Sequence, residues 1–396
     1  MTARAVRPAV AVQGMFVAFG LVVAAFFPFF ALYLDGRGLS KGEIGLVLAI
    51  MAVARVLTNP VWGHLSDVTI GRLTALRLGA FGTALTALLL NGVDGLSAIA
   101  VVAFANAIFF VSTGPNIDAI ALVHLGEERM HDYGRIRSWE SLAYAAACLA
   151  YGAVLETAGI RWAMPLFGAA CLGVLAWSAT PHRDRPDREA VAGHGRLGSV
   201  GAVFRQAPRF WGFLGAVLLV WTGFNAAWNY FSLRIEDAGG GPLLVGLGTA
   251  LGGVVEVAVM RSSTRLQGRF GLRRIYPLGC LVYATGFLSW GLVDDPTLLS
   301  ILTFLEGIGF SLLFTSTVVI VGRMLPDTLY STGNSLAATI GFGFGPILGA
   351  GLGGLVYEGL GPVVLYSGAS ALCVAAAIVA WFALDLPALE HAGSPP

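Results

Sequence analysis

Twelve stretches of this chain are long enough to cross a lipid bilayer and carry almost no charge. They fall near residues 11–34, 42–65, 73–92, 96–124, 134–158, 160–180, 209–234, 242–262, 274–293, 297–322, 331–357 and 361–384. A spanning helix needs roughly 20 predominantly apolar residues, and each run meets that length. Charged residues make up 12% of the chain, the apolar share is 56% and the mean hydropathy is +0.77. A soluble domain carries about a quarter charged residues, so half the usual charge is missing. The first run is too long for a cleaved signal peptide and leads straight into another span. The expected fold is therefore an all-α membrane protein of twelve transmembrane helices.

Net charge is +1, which says nothing about partners, but the placement of charge is informative. With the N-terminus inside, the inner segments hold 19 Lys and Arg, among them Arg4, Arg7, Arg72, Arg129, Arg183, Arg185, Arg188, Arg265, Arg269, Arg273 and Arg274. The outer segments hold four: Arg37, Lys41, Arg161 and Arg234. This positive-inside bias puts both termini in the cytoplasm of a cell or inner membrane. The longest polar stretch, residues 181–208, reads as a solvated cytoplasmic linker. It separates an N-terminal six-helix bundle (1–180) from a C-terminal one (209–396).

The halves echo each other. Gly45 to Arg55 in span 2 reads GLVLAIMAVAR, and Gly246 to Glu256 in span 8 reads GLGTALGGVVE. The offset of 201 residues also sets His64 over Arg265, Leu65 over Leu266 and Arg72 over Arg273. Internal repeats of this kind build many transporters, with the substrate site at the repeat interface.

Cys148, Cys171, Cys280 and Cys373 lie inside apolar runs, far apart, and read as packing residues rather than a disulfide or metal framework. No His lies mid-span, so no metal site is expected. No Walker-type loop or nucleophile elbow appears. The glycine-rich stretches lie inside apolar helices, where they cannot cradle a phosphate. An enzyme, a cofactor, coupling to ATP and a nucleic-acid partner are all unexpected.

The loop after span 2, GHLSDVTIGRL (Gly63 to Leu73), resembles the loop 2–3 signature of the major facilitator superfamily. That signature uses a Gly, an Asp and a basic residue to clamp helix ends. Here the basic residue directly after Asp67 is missing and one residue is inserted before Gly71, which leaves Asp67 and Arg72 to form the clamp. Five further segments resemble the branch that contains the 3-phenylpropionate and lactose permeases. They are PFFALYLDGRGLSKGEIGLVLA (from Pro28), VARVL (Val53), LTALR (Leu73), PNIDA (Pro115) and DYGRIRSWESLAY (Asp132). The likeness covers most of the first half and thins in the second to VVEV around Glu256. It implies two pseudo-symmetric six-helix bundles working by alternating access, usually as a monomer. It also implies that Asp118 and Arg137 bind substrate, with Tyr144 where the family places a stacking Trp. Span 10 carries Glu306 where lactose permease has a His, without the family's accompanying Arg and acid. Sugar specificity is therefore not carried over, and proton coupling has to use other carboxylates.

A charge at the centre of a span costs roughly 2.5–3.5 kcal/mol on insertion scales and survives when it pairs or faces a water-filled path. Arg55, Asp118, Arg137, Glu140, Glu256 and Glu306 are the residues that incur this cost. Arg55 and Glu256 hold equivalent places in the two halves. Arg55 is expected to attract an anionic group and Glu256 to take up a proton; the alternative is a fixed pair that holds one conformation shut. Asp118 and Arg137 lie on adjacent spans, and Glu140 follows Arg137 by three residues on the same helix face. Each of these can act in binding or proton transfer, or in structure alone. Glu306 reads equally as a proton carrier or as a structural acid.

In span 7, Asn225 and Asn229 stand four apart among Trp221, Trp228 and Tyr230, a mixture suited to an organic-molecule pocket. Span 11 holds GFGFGPILGAGLGG, in which Gly345 and Pro346 mark either a moving gate or tight packing. The expected function is proton-coupled uptake of a small organic solute across the lipid bilayer, first an aromatic or other monocarboxylate. A sugar or nucleoside symporter, a proton-driven exporter, and a membrane sensor that does not transport are the alternatives.

Overall fold

The computed structural model describes residues 8–125, 133–179, 197–385 and 389, and every regular element among them is helical. Ten elements are long and apolar enough by themselves to cross a bilayer, and Val10–Phe26 is a shorter apolar helix. The longest element, Thr328–Ala383, has 56 residues. At about 1.5 Å per residue it would be more than twice as long as the hydrocarbon core is thick. It is two spans. Gly361 breaks it with φ of +82°, a left-handed conformation that glycine adopts at little cost, and Pro362 follows inside the turn. Span 11 thus ends and span 12 begins there, which completes the set of twelve.

Spans 2, 3, 5, 6, 8 and 9 are the helices Lys41–His64, Arg72–Leu90, Tyr133–Ala158, Ala163–Ser178, Pro242–Phe270 and Leu272–Leu292. Spans 1, 4, 7 and 10 are interrupted. Span 1 breaks between Pro8–Phe26 and Phe30–Asp35, and span 4 between Leu96–Phe110 and Thr113–Leu125. Span 7 breaks between Pro208–Trp228 and Phe231–Asp237, and span 10 between Pro296–Ile301 and Thr303–Met324. In span 1 the break holds Pro28, which lacks the N–H of a continuous ladder. Every third span is broken, so each half is itself a repeat of three, and discontinuous helices are where transporters line their paths.

The described residues fall into two compact units. The first comprises residues up to 39, 50–193 and 241–250; the second comprises 40–49, 194–240 and 251 onward. The first turns of spans 2 and 8 are therefore grouped with the opposite unit from the rest of their helices. Of the expected linker, residues 181–196 lie outside the described residues. Leu197–Gln206 is a helix that packs on span 7 and on Asp327–Ala338.

Each unit fastens its helix ends in the same way. In the first, Arg37 donates to the carbonyls of Asn91 (3.2 Å) and Val93 (2.7 Å) and pairs with Asp94 at 2.6 Å. In the second, Arg234 donates to the carbonyls of Trp290 (3.0 Å) and Val293 (2.6 Å) and pairs with Asp294 at 2.6 Å. The last carbonyls of a helix have no partner within it, and both arginines supply one. At the other ends, Arg77 donates to the Ser178 carbonyl at 2.6 Å, and Arg273 pairs with Asp385 at 2.7 Å. The four cysteines are buried and free.

Candidate functional site

In the first unit, the end of span 4 and the start of span 5 bring four polar groups together. Tyr133 donates its hydroxyl to Asp118 Oδ1 at 2.7 Å. Arg137 Nε lies 3.6 Å from the same oxygen, and Arg137 Nη2 lies 3.7 Å from Glu140 Oε2. Both ion pairs are longer than the roughly 2.7–2.9 Å of a tight charge-assisted hydrogen bond. The guanidinium is 44% exposed and Asp118 38% exposed, whereas Glu140 is 15% exposed. Arg137 thus sits between two carboxylates without being clamped by either. The helical spacing of span 5 sets this up: Tyr133, Arg137, Glu140 and Tyr144 follow at intervals of three and four, which is one helix face. A Cβ at Gly20 would meet the Glu140 carbonyl at 2.5 Å, so span 1 approaches span 5 backbone to backbone beside this cluster.

Tyr133 carries a polar contact that the sequence pattern does not mark as functional. Its signal is its place opening DYGRIR, one helical turn before Arg137. Tyr144 is partly buried against the small-residue cluster of Ala24, Ala145, Ala147, Cys148 and Ala250. Arg55, mid-span and partly buried, makes no ion pair among the described residues. Asp67 and Arg72 do meet, at 3.0 Å, across a π-helical turn, Leu65–Thr69, that takes up the extra residue of the loop.

The second unit collects carboxylates and aromatic rings. Glu306, 8% exposed, lies where a Cβ on Gly252 would be 3.1 Å from Oε2, and within electrostatic reach of Glu256. Spans 8 and 10 meet through Gly252 and Gly307, and Ser311 donates to the Glu256 carbonyl at 3.0 Å. Beside them Tyr283 is fully buried, and its hydroxyl has no hydrogen-bond partner among the described residues. Its ring stacks on Phe224 at 5.5 Å, and Phe224 packs on Trp221, Trp228 and Phe310.

Asn225 and Asn229 sit on the expected face, but each spends an amide N–H on its own helix. Asn225 donates to the Trp221 carbonyl and Asn229 to the Asn225 carbonyl, both at 2.8 Å. Each keeps its carbonyl oxygen and its second N–H for a ligand. Gly345 packs against the backbone of Trp221 and Thr222 and directly follows the π-helical segment Thr339–Phe344, with Pro346 next. Among the described residues no cluster of three His, Cys, Asp or Glu could hold a metal.

The MFS_1 like family model matches residues 13–367. The maltose permease of Geobacillus stearothermophilus is 28% identical over 351 residues, covering 84% of this chain and 82% of the permease. The protein described as the probable 3-phenylpropionic acid transporter of Escherichia coli K12 is 25% identical over 279 residues, 69% of this chain and 71% of that one. Among solved structures, the nucleoside transporter NupG superposes with a TM-score of 0.81 at 16% identity, covering 96% of this chain and 100% of that chain. The D-xylose–proton symporter gives 0.68 at 15% identity, over 94% and 96% of the two chains.

Proposed function

We propose, for a chain that belongs to the MFS_1 like family and is a multi-pass membrane transporter rather than an enzyme, that its solute is a neutral hydroxylated molecule of the sugar class, taken up together with protons. The observation that carries this reading is the setting of Arg137 between Asp118 and Glu140 at 3.6 and 3.7 Å. One cation flanked by two carboxylates attracts no further anion. At an effective dielectric constant near 20, each like charge about 5 Å away costs an incoming carboxylate about 3 kcal/mol. Sugar hydroxyls suit the same groups, because each can donate to a carboxylate and accept from a guanidinium or tyrosine. The maltose permease relative supports this class. Proton exchange is assigned to the carboxylates of spans 8 and 10, Glu256 and Glu306, with Asp118 and Glu140 coupling substrate to proton. The protein acts as a monomer in a cell or inner membrane with both termini cytoplasmic.

An aromatic monocarboxylate is the second reading. Arg55 favours it, as a mid-span guanidinium with no ion pair among the described residues, and so does the 3-phenylpropionic acid transporter relative. Proteoliposomes with a trapped pH dye separate the two. Lumenal acidification on adding maltose or a monosaccharide, lost in Asp118→Asn and in Glu306→Gln, is the expected result. Acidification by aromatic acids alone, abolished by Arg55→Gln, overturns the sugar reading in favour of the second. Alkalinisation on adding a solute makes the protein an exporter.

A further inference from the structure

Two helix beginnings in this protein are capped by carboxylates that arrive from elsewhere in the sequence. Within the second unit, Glu358 Oε2 accepts from the Gly42 N–H at 2.5 Å and from the Ser40 hydroxyl at 2.8 Å, at the first turn of span 2. Within the first unit, Glu156 Oε2 accepts from the Leu243 N–H at 3.0 Å, at the first turn of span 8. The first N–H groups of a helix lack internal partners and carry partial positive charge, so a carboxylate there is favoured twice over.

The contacts below each carboxylate match as well. On span 11, Ala350, Gly354 and Glu358 stand at intervals of four, and a Cβ on Gly45 would lie 2.7 Å from the Ala350 carbonyl and 3.0 Å from the Gly354 Cα. On span 5, Cys148, Gly152 and Glu156 stand at the same intervals. A Cβ on Gly246 would there run into the Cys148 carbonyl and lie 3.2 Å from the Gly152 Cα. Glu358 follows Glu156 by 202 residues and Gly246 follows Gly45 by 201, so the capping acids obey the register of the internal repeat to within one residue. Glycine also leaves the space each acid occupies: a Cβ on Gly42 would be 2.5 Å from Glu358 Oε2, and one on Gly241 would strike Glu156 Oε2.

These first turns, 40–49 and 241–250, are the segments grouped with the opposite unit from the rest of their helices. We infer that Glu156 and Glu358 are a matched pair of latches, each holding the start of a span against a glycine-bearing face, and that both release when the carrier changes state. A carboxylate on exposed helix N–H groups suits that task, because water satisfies both partners once the contact opens. A buried apolar contact offers no such exchange. The latches are unequal. Glu358 holds both the Gly42 N–H and the Ser40 hydroxyl where Glu156 holds the Leu243 N–H, and Lys41 adds a contact to Asp237 at 4.0 Å, while Tyr357 donates to Asp237 at 2.5 Å.

The test needs no substrate. Spin labels at Ala158→Cys and Leu247→Cys report the Glu156 latch, and labels at Leu355→Cys and Leu46→Cys report the Glu358 latch, by pulsed electron paramagnetic resonance distances in nanodiscs. Loss of a helix cap changes an equilibrium about fivefold. Glu358→Ala is expected to raise the long-distance population at its pair about fivefold or more, and Glu156→Ala by a smaller factor. Glu358→Gln, which keeps an acceptor oxygen, is expected to restore most of the short-distance population. Distance distributions unchanged in both alanine variants, with unfolding temperatures like the parent's, overturn the proposal. An equal shift in Gln and Ala variants also overturns it, since capping by the side-chain oxygen would then not matter. Because the readout is a distance, it stands or falls independently of which solute is carried.

Discussion

Arg37 in the first unit and Arg234 in the second hold the same kind of helix end, through two carbonyls and one carboxylate each, yet the interiors of the units have little in common. The first unit places a guanidinium between two carboxylates and a tyrosine hydroxyl, with Arg137 and Asp118 about two-fifths exposed. The second buries Glu306 beside Gly252 and near Tyr283, whose ring stacks on Phe224. Parts that keep the fold are duplicated, and parts that do chemistry have diverged. On the function proposed above, the polar set of one half hydrogen-bonds a hydroxylated solute and the acids of the other exchange a proton.

Breaking the shared part gives the largest effect. Arg234 is 5% exposed and Arg37 keeps a 20% exposed side chain. Arg234→Ala strands the Trp290 and Val293 carbonyls in a buried setting, and hydrogen bonds to a charged group are worth about 1.5–3 kcal/mol. Thermal unfolding in detergent should show a loss of about 3 kcal/mol for Arg234→Ala and roughly half of that for Arg37→Ala. Equal losses would mean that burial does not distinguish the two fasteners.

Sharpening the chemical difference comes next. Arg137→Lys keeps the charge and discards the planar fork, which serves bidentate and stacked contacts. If the solute is a sugar, as proposed, its counterflow should fall about 10- to 100-fold, the worth of one hydrogen bond to a charged group, with unfolding temperature unchanged. The smallest expected effect is at Tyr133, where Tyr133→Phe deletes one hydrogen bond worth about 1 kcal/mol. It should weaken sugar binding about fivefold and leave the response of Glu306→Gln as it is. Coupling between Tyr133→Phe and Glu306→Gln beyond simple addition would join the two units energetically and blur the division drawn above.

Much of this was legible in the chain. The bilayer imposes a length and a charge limit on every span, so spans appear as runs, and spans 11 and 12 separate in the sequence at 357–361, where Gly361 breaks the long helix. What the coordinates add there is the conformation of the turn, one left-handed glycine in place of a polar loop. Asp118, Arg137 and Glu140 could be named because charge in an apolar run is conspicuous. Tyr133, Glu156 and Glu358 were not conspicuous: a tyrosine or glutamate at a span's edge resembles ordinary interfacial residues. The 201-residue register sets Glu156 one residue short of Glu358, and an echo in sequence does not reveal that both reach a distant helix start.

Sequence by itself determined the twelve spans, the repeat and the short list of embedded charges, because lipid penalises each departure locally and residue by residue. Only the tertiary structure decided what those charges do to one another. Whether Arg137 is clamped or open and which carboxylate caps which helix depend on distances between side chains and backbones on different helices. At the starts of spans 2 and 8 those distances go with glycine-to-backbone packing between helices, to which hydropathy is blind.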